Sequence, residues 1–502
     1  MSLLYAVVFA SRCRSNHHRL AVDALRHLEG EDAEHWRNLL LHYHDEYLKG
    51  AKAPDDVFKD FKNHVLHVRD NDWGGAIEAC EEWYRRTVRA LAAEDWRQAA
   101  WSAGVMSHYY VDPIQPFHTH QTEEEGVIHR AVEWSFSKSY KTFQNILERE
   151  RGGYPQIEAP SGADWLAQMV RAGAQASTQH YELIIDHYDL QAGVKDPPAG
   201  LDQEIKDAIA GLVGHAAVGL ARILNRAFEE AAVKPPKVGA NLQAVFLAME
   251  TPIQAVLKAM DDVAARREVE AQYQEYQRTG KVRTTLGEDD KVVRALYAAE
   301  VMKTPLSSLD AKWPREIGAK SGEGAQARTP KPLREPKVKP ELPVGAPRAK
   351  EEKSLPRFSL SGDAPVEKAP SIGPKTAKRL EAVGVHTIAD LLAASAEEKQ
   401  LQLGARHISA QLIRDWQAQA LLACTVPGLK SREAQALVAC GVRDAGDLAG
   451  ADAARLCDEI ARWGLSDEGA RAWGHAPAPN EDDVATWIER AKRAESESVR
   501  AA

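Results

Sequence analysis

The stretch SHYYVDPIQPFHTHQTEEEGVIHRAVE, residues 107–133, holds the side chains best suited to chemistry. His108 and Asp112 are one helical turn apart, as are His129 and Glu133, so each pair points one way from its helix. Two imidazoles and two carboxylates can therefore meet at a common point. Pro113 and Pro116 end the first helix, which leaves Phe117, His118, Thr119 and His120 in the bend that turns the chain back. His118 can then complete the cluster. One such pair is ordinary on a solvated helix. Two pairs flanking a Pro-Phe-His bend point to metal ligands. Imidazole nitrogen and carboxylate oxygen, with no thiolate, form the donor set of a catalytic zinc that keeps a position open for water, and iron or manganese accepts the same donors.

The run His108-x3-Asp112-x5-His118-x10-His129-x3-Glu133 resembles the zinc-dependent phospholipase C superfamily, which includes the fungal single-strand-specific nucleases. The resemblance covers residues 1–235. It implies an all-helical domain with up to three zinc ions that activate a water for attack on phosphorus. It also implies the other ligands: a central zinc at Asp55, His64, His108 and Asp112, a second at His118, His129 and Glu133, and a third at His18 bridged by Asp112. Asp55 is in addition the candidate to accept the proton of the attacking water. His17 is the alternative to His18. Asp56 and His67 are the alternatives to Asp55 and His64, because the family places more residues between that aspartate and histidine. Two zinc ions are expected. The third site departs from the family, whose N-terminal Trp ligand has no counterpart here before Trp36. Cys13 could supply a thiolate there but reads as an ordinary buried thiol.

These residues need helices to position them. Asn16 is a candidate N-cap for a first helix that begins with His17 and His18. Residues 31–49 read as an amphipathic helix with Trp36, Leu39, Leu40 and Tyr43 in the core, 74–107 as an aromatic-rich helical pair, and 128–146 as the helix of the second metal pair. Two long helices, over 162–195 and 201–233, close the bundle. Residues 236–314 continue as a helical extension, either a solvated arm or an oligomerisation helix. Residues 315–368, rich in Pro and Lys, cannot bury a core and read as a disordered linker.

Order returns over 369–495. Ile372-Gly373-Pro374 followed by Ala377, Leu380 and Val383-Gly384-Val385 is the pattern of a helix-hairpin-helix, and Val426-Pro427-Gly428-Leu429 with Ala434 and Gly441 repeats it. The region resembles a bacterial tandem helix-hairpin-helix domain of undetermined function. In such modules backbone N–H groups at a helix start meet phosphate. Gly373, Lys375, Lys378, Arg379, Gly428, Lys430 and Arg432 are the candidate nucleic-acid contacts.

The fold class expected is thus all-α: a helical zinc-hydrolase bundle, a linker and a tandem hairpin domain. A net charge of -9 over 502 residues gives no global attraction to nucleic acid or anionic lipid. Five cysteines without a CxxC suit a reducing compartment. The apolar run Leu3–Ala10 is too short to span a membrane and lacks the basic start of a secretory signal, so a cytoplasmic protein is expected. The expected activity is phosphodiester hydrolysis, on nucleic acid by preference because of the hairpin module. Phospholipase C activity comes next, and a non-catalytic DNA- or protein-binding scaffold third. The sequence leaves oligomeric state open.

Overall fold

The computed structural model describes residues 2–239, 247, 251–315, 317, 358–405, 408–464, 466–473 and 479–501. The expected linker over 315–368 lies mostly outside them. The chain is all-α. Regular strand among the described residues is limited to the antiparallel pairing of Leu66–His67 with Trp73–Gly74. Two compact units are present, Met1–Ala325 and Gln326–Ala502.

The first unit is built on the helix Gln203–Ala231, whose Ile205, Ile209, Leu212, Ala216 and Leu220 are all buried. It packs on helices Glu125–Arg149, Asn16–Ala24 and Ala76–Ala92. Its length and composition would allow it to cross a membrane, but 78% of its apolar window is buried inside the unit. The expected pair over 74–107 forms as Ala76–Ala92 and Trp96–Val111.

Two expected helices are broken. The 31–49 helix divides at Tyr43 into Ala33–His42 and His44–Gly50. The 162–195 helix forms three pieces, Trp165–Thr178, Tyr181–His187 and Leu190–Lys195. Tyr188 leaves helical geometry, and the Asp189 carboxylate then caps a new helix by accepting the Ala192 N–H at 2.9 Å.

The first metal pair depends on a close helix crossing. Gly104 lies against the helix His44–Gly50 so tightly that a Cβ there would sit 2.1 Å from the Tyr47 carbonyl oxygen. This contact sets Trp96–Val111, and so His108, against Ala51.

The extension packs on the body of the first unit and is not a solvated arm. Helix Thr251–Thr279 packs on Glu125–Arg149, and helix Glu288–Glu300 packs on the turn Phe61–His64. The loop between them is tied by Glu275, whose carboxylate accepts the backbone N–H groups of Arg283, Thr284 and Thr285 at 3.1, 3.0 and 2.8 Å. Arg14 pairs with Asp261 at 2.6 Å and Lys62 with Glu300 at 2.7 Å, which fastens both helices to the body.

The second unit contains two short-helix pairs, Pro374–Glu381 with Ile388–Ala393 and Ser431–Ala439 with Ala445–Ala449. Their connecting turns match. Gly384 and Gly441 have φ of +84° and +88°, and the next residues, Val385 and Val442, return an N–H to Leu380 and Leu437, each at 3.0 Å.

Candidate metal centre

Six local structures deliver the donors. The helix Trp96–Val111 ends at Asp112, one turn after His108, because Pro113 cannot continue it. Pro116 opens a single turn that ends at His118. Helix Glu125–Arg149 aligns Glu125, His129 and Glu133 on one face. Asp55 lies in the wide turn Pro54–Phe58, and His64 closes the turn Phe61–His64. The helix Asn16–Ala24, which carries His17, is capped by Ser15 rather than Asn16, the Ser15 hydroxyl accepting the His18 N–H at 3.2 Å.

Asp112 is the hub. Its Oδ2 lies 2.9 Å from His64 Nδ1, 3.0 Å from His108 Nε2 and 3.6 Å from His118 Nδ1, and its Oδ1 lies 3.4 Å from His17 Nε2. Asp55 Oδ1 lies 3.4 Å from His64 Nδ1 and 3.6 Å from His108 Nε2. His118, His129 and Glu133 form a second convergent set, with His129 Nε2 3.4 Å from Glu133 Oε1.

This geometry fits cations better than mutual hydrogen bonding. Although three imidazoles face it, Asp112 Oδ2 accepts no aligned hydrogen bond, and His118 Nδ1 is likewise buried without one. Donors around a tetrahedral zinc at about 2.0 to 2.1 Å stand roughly 3.3 Å from each other, close to the spacings seen. Lone pairs aimed at a shared point, rather than at each other, leave unaligned contacts of this length. His108 is oriented for such a role: its Nδ1 donates to the Ala51 carbonyl at 2.9 Å, which turns the Nε2 lone pair to the cluster.

Among the sequence candidates, Asp55, His64, His108, Asp112, His118, His129 and Glu133 come together. His18 does not. Its Nδ1 accepts the Arg14 N–H at 3.2 Å, and it is His17, stacked on the His108 ring at 4.0 Å, that joins His108 and Asp112. Asp56 is absent from the donor groups, and His67 is fully buried beside Asp70 and Trp73. Cys13 is a buried thiol pushed up to about 12, chiefly by burial.

Electrostatics follow from crowding. Burial works to raise Asp112, but His108, His118 and His17 override it and hold the carboxyl well below its ordinary value. Burial likewise opposes charge on His64 and His129. The facing carboxylates, Asp112 and Asp60 for His64 and Asp290 and Glu133 for His129, overcome it and hold both rings well above the ordinary histidine value. His17 goes the other way, down to about 3, through burial and then the neighbouring His108. Glu125 is pushed up to about 8 by burial.

Three contributors were not singled out in the sequence. Asp60 faces His64 Nε2 at 3.5 Å while accepting the Tyr109 hydroxyl at 2.8 Å, and its place four residues before His64 was a usable signal. Lys52 pairs with Asp55. Asp290 comes from the extension and had no local signal. Apart from His108 and Asp60, these residues line a pocket of about 560 Å³, in which acidic side chains outnumber basic ones.

In the second unit, Lys375, Lys378 and Arg379 are exposed. Arg432 instead stands over the Trp473 ring at 5.4 Å. At the start of the second pair the Glu433 carboxylate accepts the Lys430 N–H at 2.7 Å, which places a negative charge where a phosphate would come. Gly373 and Gly428 lie before the first helix of each pair.

Comparison with known proteins agrees with the likeness read from the sequence. Residues 16–215 match the family described as zinc dependent phospholipase C, and residues 370–494 match a domain of unknown function, DUF4332. Among solved structures, the alpha toxin from Clostridium absonum is similar at 16% identity and a TM-score of 0.33, over 43% of this chain and 64% of the toxin chain. No curated protein matches.

Proposed function

We propose that the first unit is a zinc-dependent phosphoric-ester hydrolase of the phospholipase C type. The observation that carries this reading is Asp112 Oδ2, buried among three imidazoles at 2.9, 3.0 and 3.6 Å with no aligned hydrogen bond, at the head of an open pocket. Asp55, His64 and His108 would hold one zinc, His118, His129 and Glu133 a second, and His17 with Asp112 the third. Zinc bound there supplies acidified water and charge neutralisation at phosphate oxygens.

The protein's own groups do the rest. Asp55 is a quarter exposed to the pocket, is kept ionised by Lys52 despite its burial, and is placed to take the proton of the attacking water. Arg19 and Lys258 line the same pocket. Their partners are neutral oxygens, those of Ser137 and Asn16 for Arg19 and of Ala10 for Lys258, so both can turn to a phosphate without giving up an ion pair.

The rim favours a compact phosphodiester over a polynucleotide. Arg14 is paired with Asp261, Lys138 with Asp262 and Arg130 with Asp289, which leaves no continuous basic track for a phosphate backbone among the described residues. The contacts of Glu433 and Arg432 weaken the nucleic-acid reading of the second unit in the same way. The test is to incubate the zinc-loaded protein with phosphatidylcholine vesicles and, separately, with single-stranded DNA. Release of water-soluble phosphorus from the vesicles, abolished by a chelator, is the expected result. Cleaved DNA with intact vesicles selects the nuclease reading, and bound zinc with neither reaction selects the scaffold.

A further inference from the structure

One wall of the metal pocket is made by residues outside the segment that matches the zinc dependent phospholipase C family. Asp290, in the first turn of helix Glu288–Glu300, places Oδ1 2.9 Å from Nδ1 of His129, within hydrogen-bond distance but not aligned as a hydrogen bond. The opposite nitrogen of that ring, Nε2, faces Glu133 at 3.4 Å and belongs to the set with His118. A neutral imidazole that gives one nitrogen to a metal carries its proton on the other, and that N–H needs an acceptor if the ring is to be fixed.

Two carboxylates stand on the Nδ1 side. Glu125 Oε1 lies 3.4 Å away, and its other oxygen accepts the Tyr181 hydroxyl at 2.7 Å. Asp290 is nearer, is almost fully buried, and has its second oxygen 3.8 Å from the Arg130 guanidinium. Arg130 also pairs with Asp289 and, at 3.3 Å, with Glu268, so this is one of the points at which the extension is docked. Glu125, His129 and Asp290 could themselves surround an ion. A neutral His129 cannot serve ions on both nitrogens, and its Nε2 is already turned to His118 and Glu133.

We propose that Asp290 is the positioning carboxylate of His129, so that the extension completes the second metal site without ligating it. The inference rests on the metal-centre reading above. Its test compares full-length wild type, Asp290→Ala, Asp290→Asn and Asp289→Ala by zinc content, by zinc affinity in chelator competition, and by the absorption spectrum of the cobalt-substituted protein. Asp290→Ala is expected to weaken zinc at one site by about 10- to 100-fold and to alter the cobalt bands. Asp290→Asn, whose amide oxygen still accepts the ring N–H, recovers most of the affinity. Asp289→Ala removes a neighbouring charge but not the acceptor, and retains both sites. Wild-type affinity and spectrum in Asp290→Ala overturn the proposal. So does an Asp290→Asn protein as weak as Asp290→Ala, which would make Asp290 a ligand. A wild type that takes up no metal overturns the metal-centre reading itself.

Discussion

At the scale of single residues, the account turns on which histidine completes the third donor set. His17 and His18 are neighbours on a helix and point about 100° apart, so local sequence cannot choose between them. The stacking of His17 on His108 does. His17→Ala should therefore lower bound metal by up to one equivalent while His18→Gln keeps the wild-type content, as read by elemental analysis; the opposite pattern would restore His18. The run from His108 to Glu133 was legible because helical spacing of four and two prolines fix it locally. Asp290 was not, since nothing within its own helix marks a partner so distant in sequence. A second residue-scale prediction concerns protons. His64, His118 and His129 are all held above the ordinary histidine value by facing carboxylates that outweigh burial. Without metal their protonated forms are favoured, and a ligand nitrogen must give its proton up. Zinc uptake should release protons, and affinity should rise with pH across the range in which these rings titrate. Calorimetry in buffers of different ionisation enthalpy measures this, and uptake without proton release would contradict it.

At the scale of elements, helix existence was readable from apolar periodicity, and helix breaks were not. The 162–195 segment has no Pro at either break; the Asp189 cap was the local sign of the second one. Close crossings are equally hidden, because a glycine in a helix does not announce what it touches. Gly104 touches backbone. A methyl group there would meet the Tyr47 carbonyl and the Ala51 nitrogen at 2.1 and 2.9 Å, so the helix carrying His108 must move. Gly104→Ala should cost about 1 to 3 kcal/mol in urea unfolding and should also weaken metal binding, since His108 is aimed by Ala51. Unchanged stability would mean that the crossing is looser than described.

At the scale of the whole molecule, the all-α class and the two repeated C-terminal helix pairs follow from pattern alone. The docking of residues 251–310 does not, because its anchors are charged residues that a solvated arm would also carry. The candidate metal donors come from segments spread between His17 and Glu133, so ions held there would join these segments and add to the first unit's stability. Ligand in excess at about 1,000 times its Kd adds roughly 4 kcal/mol. Chelation should accordingly lower the melting temperature of a protein truncated to residues 1–325, and zinc should restore it.

The most direct measurement is the zinc content of the purified full-length protein beside that of the His118→Ala/His129→Ala variant. Two or more zinc ions per chain, reduced by at least one in the variant with the helical signal retained, is the predicted result. A metal-free wild type that does not take up added zinc would contradict the account at its centre.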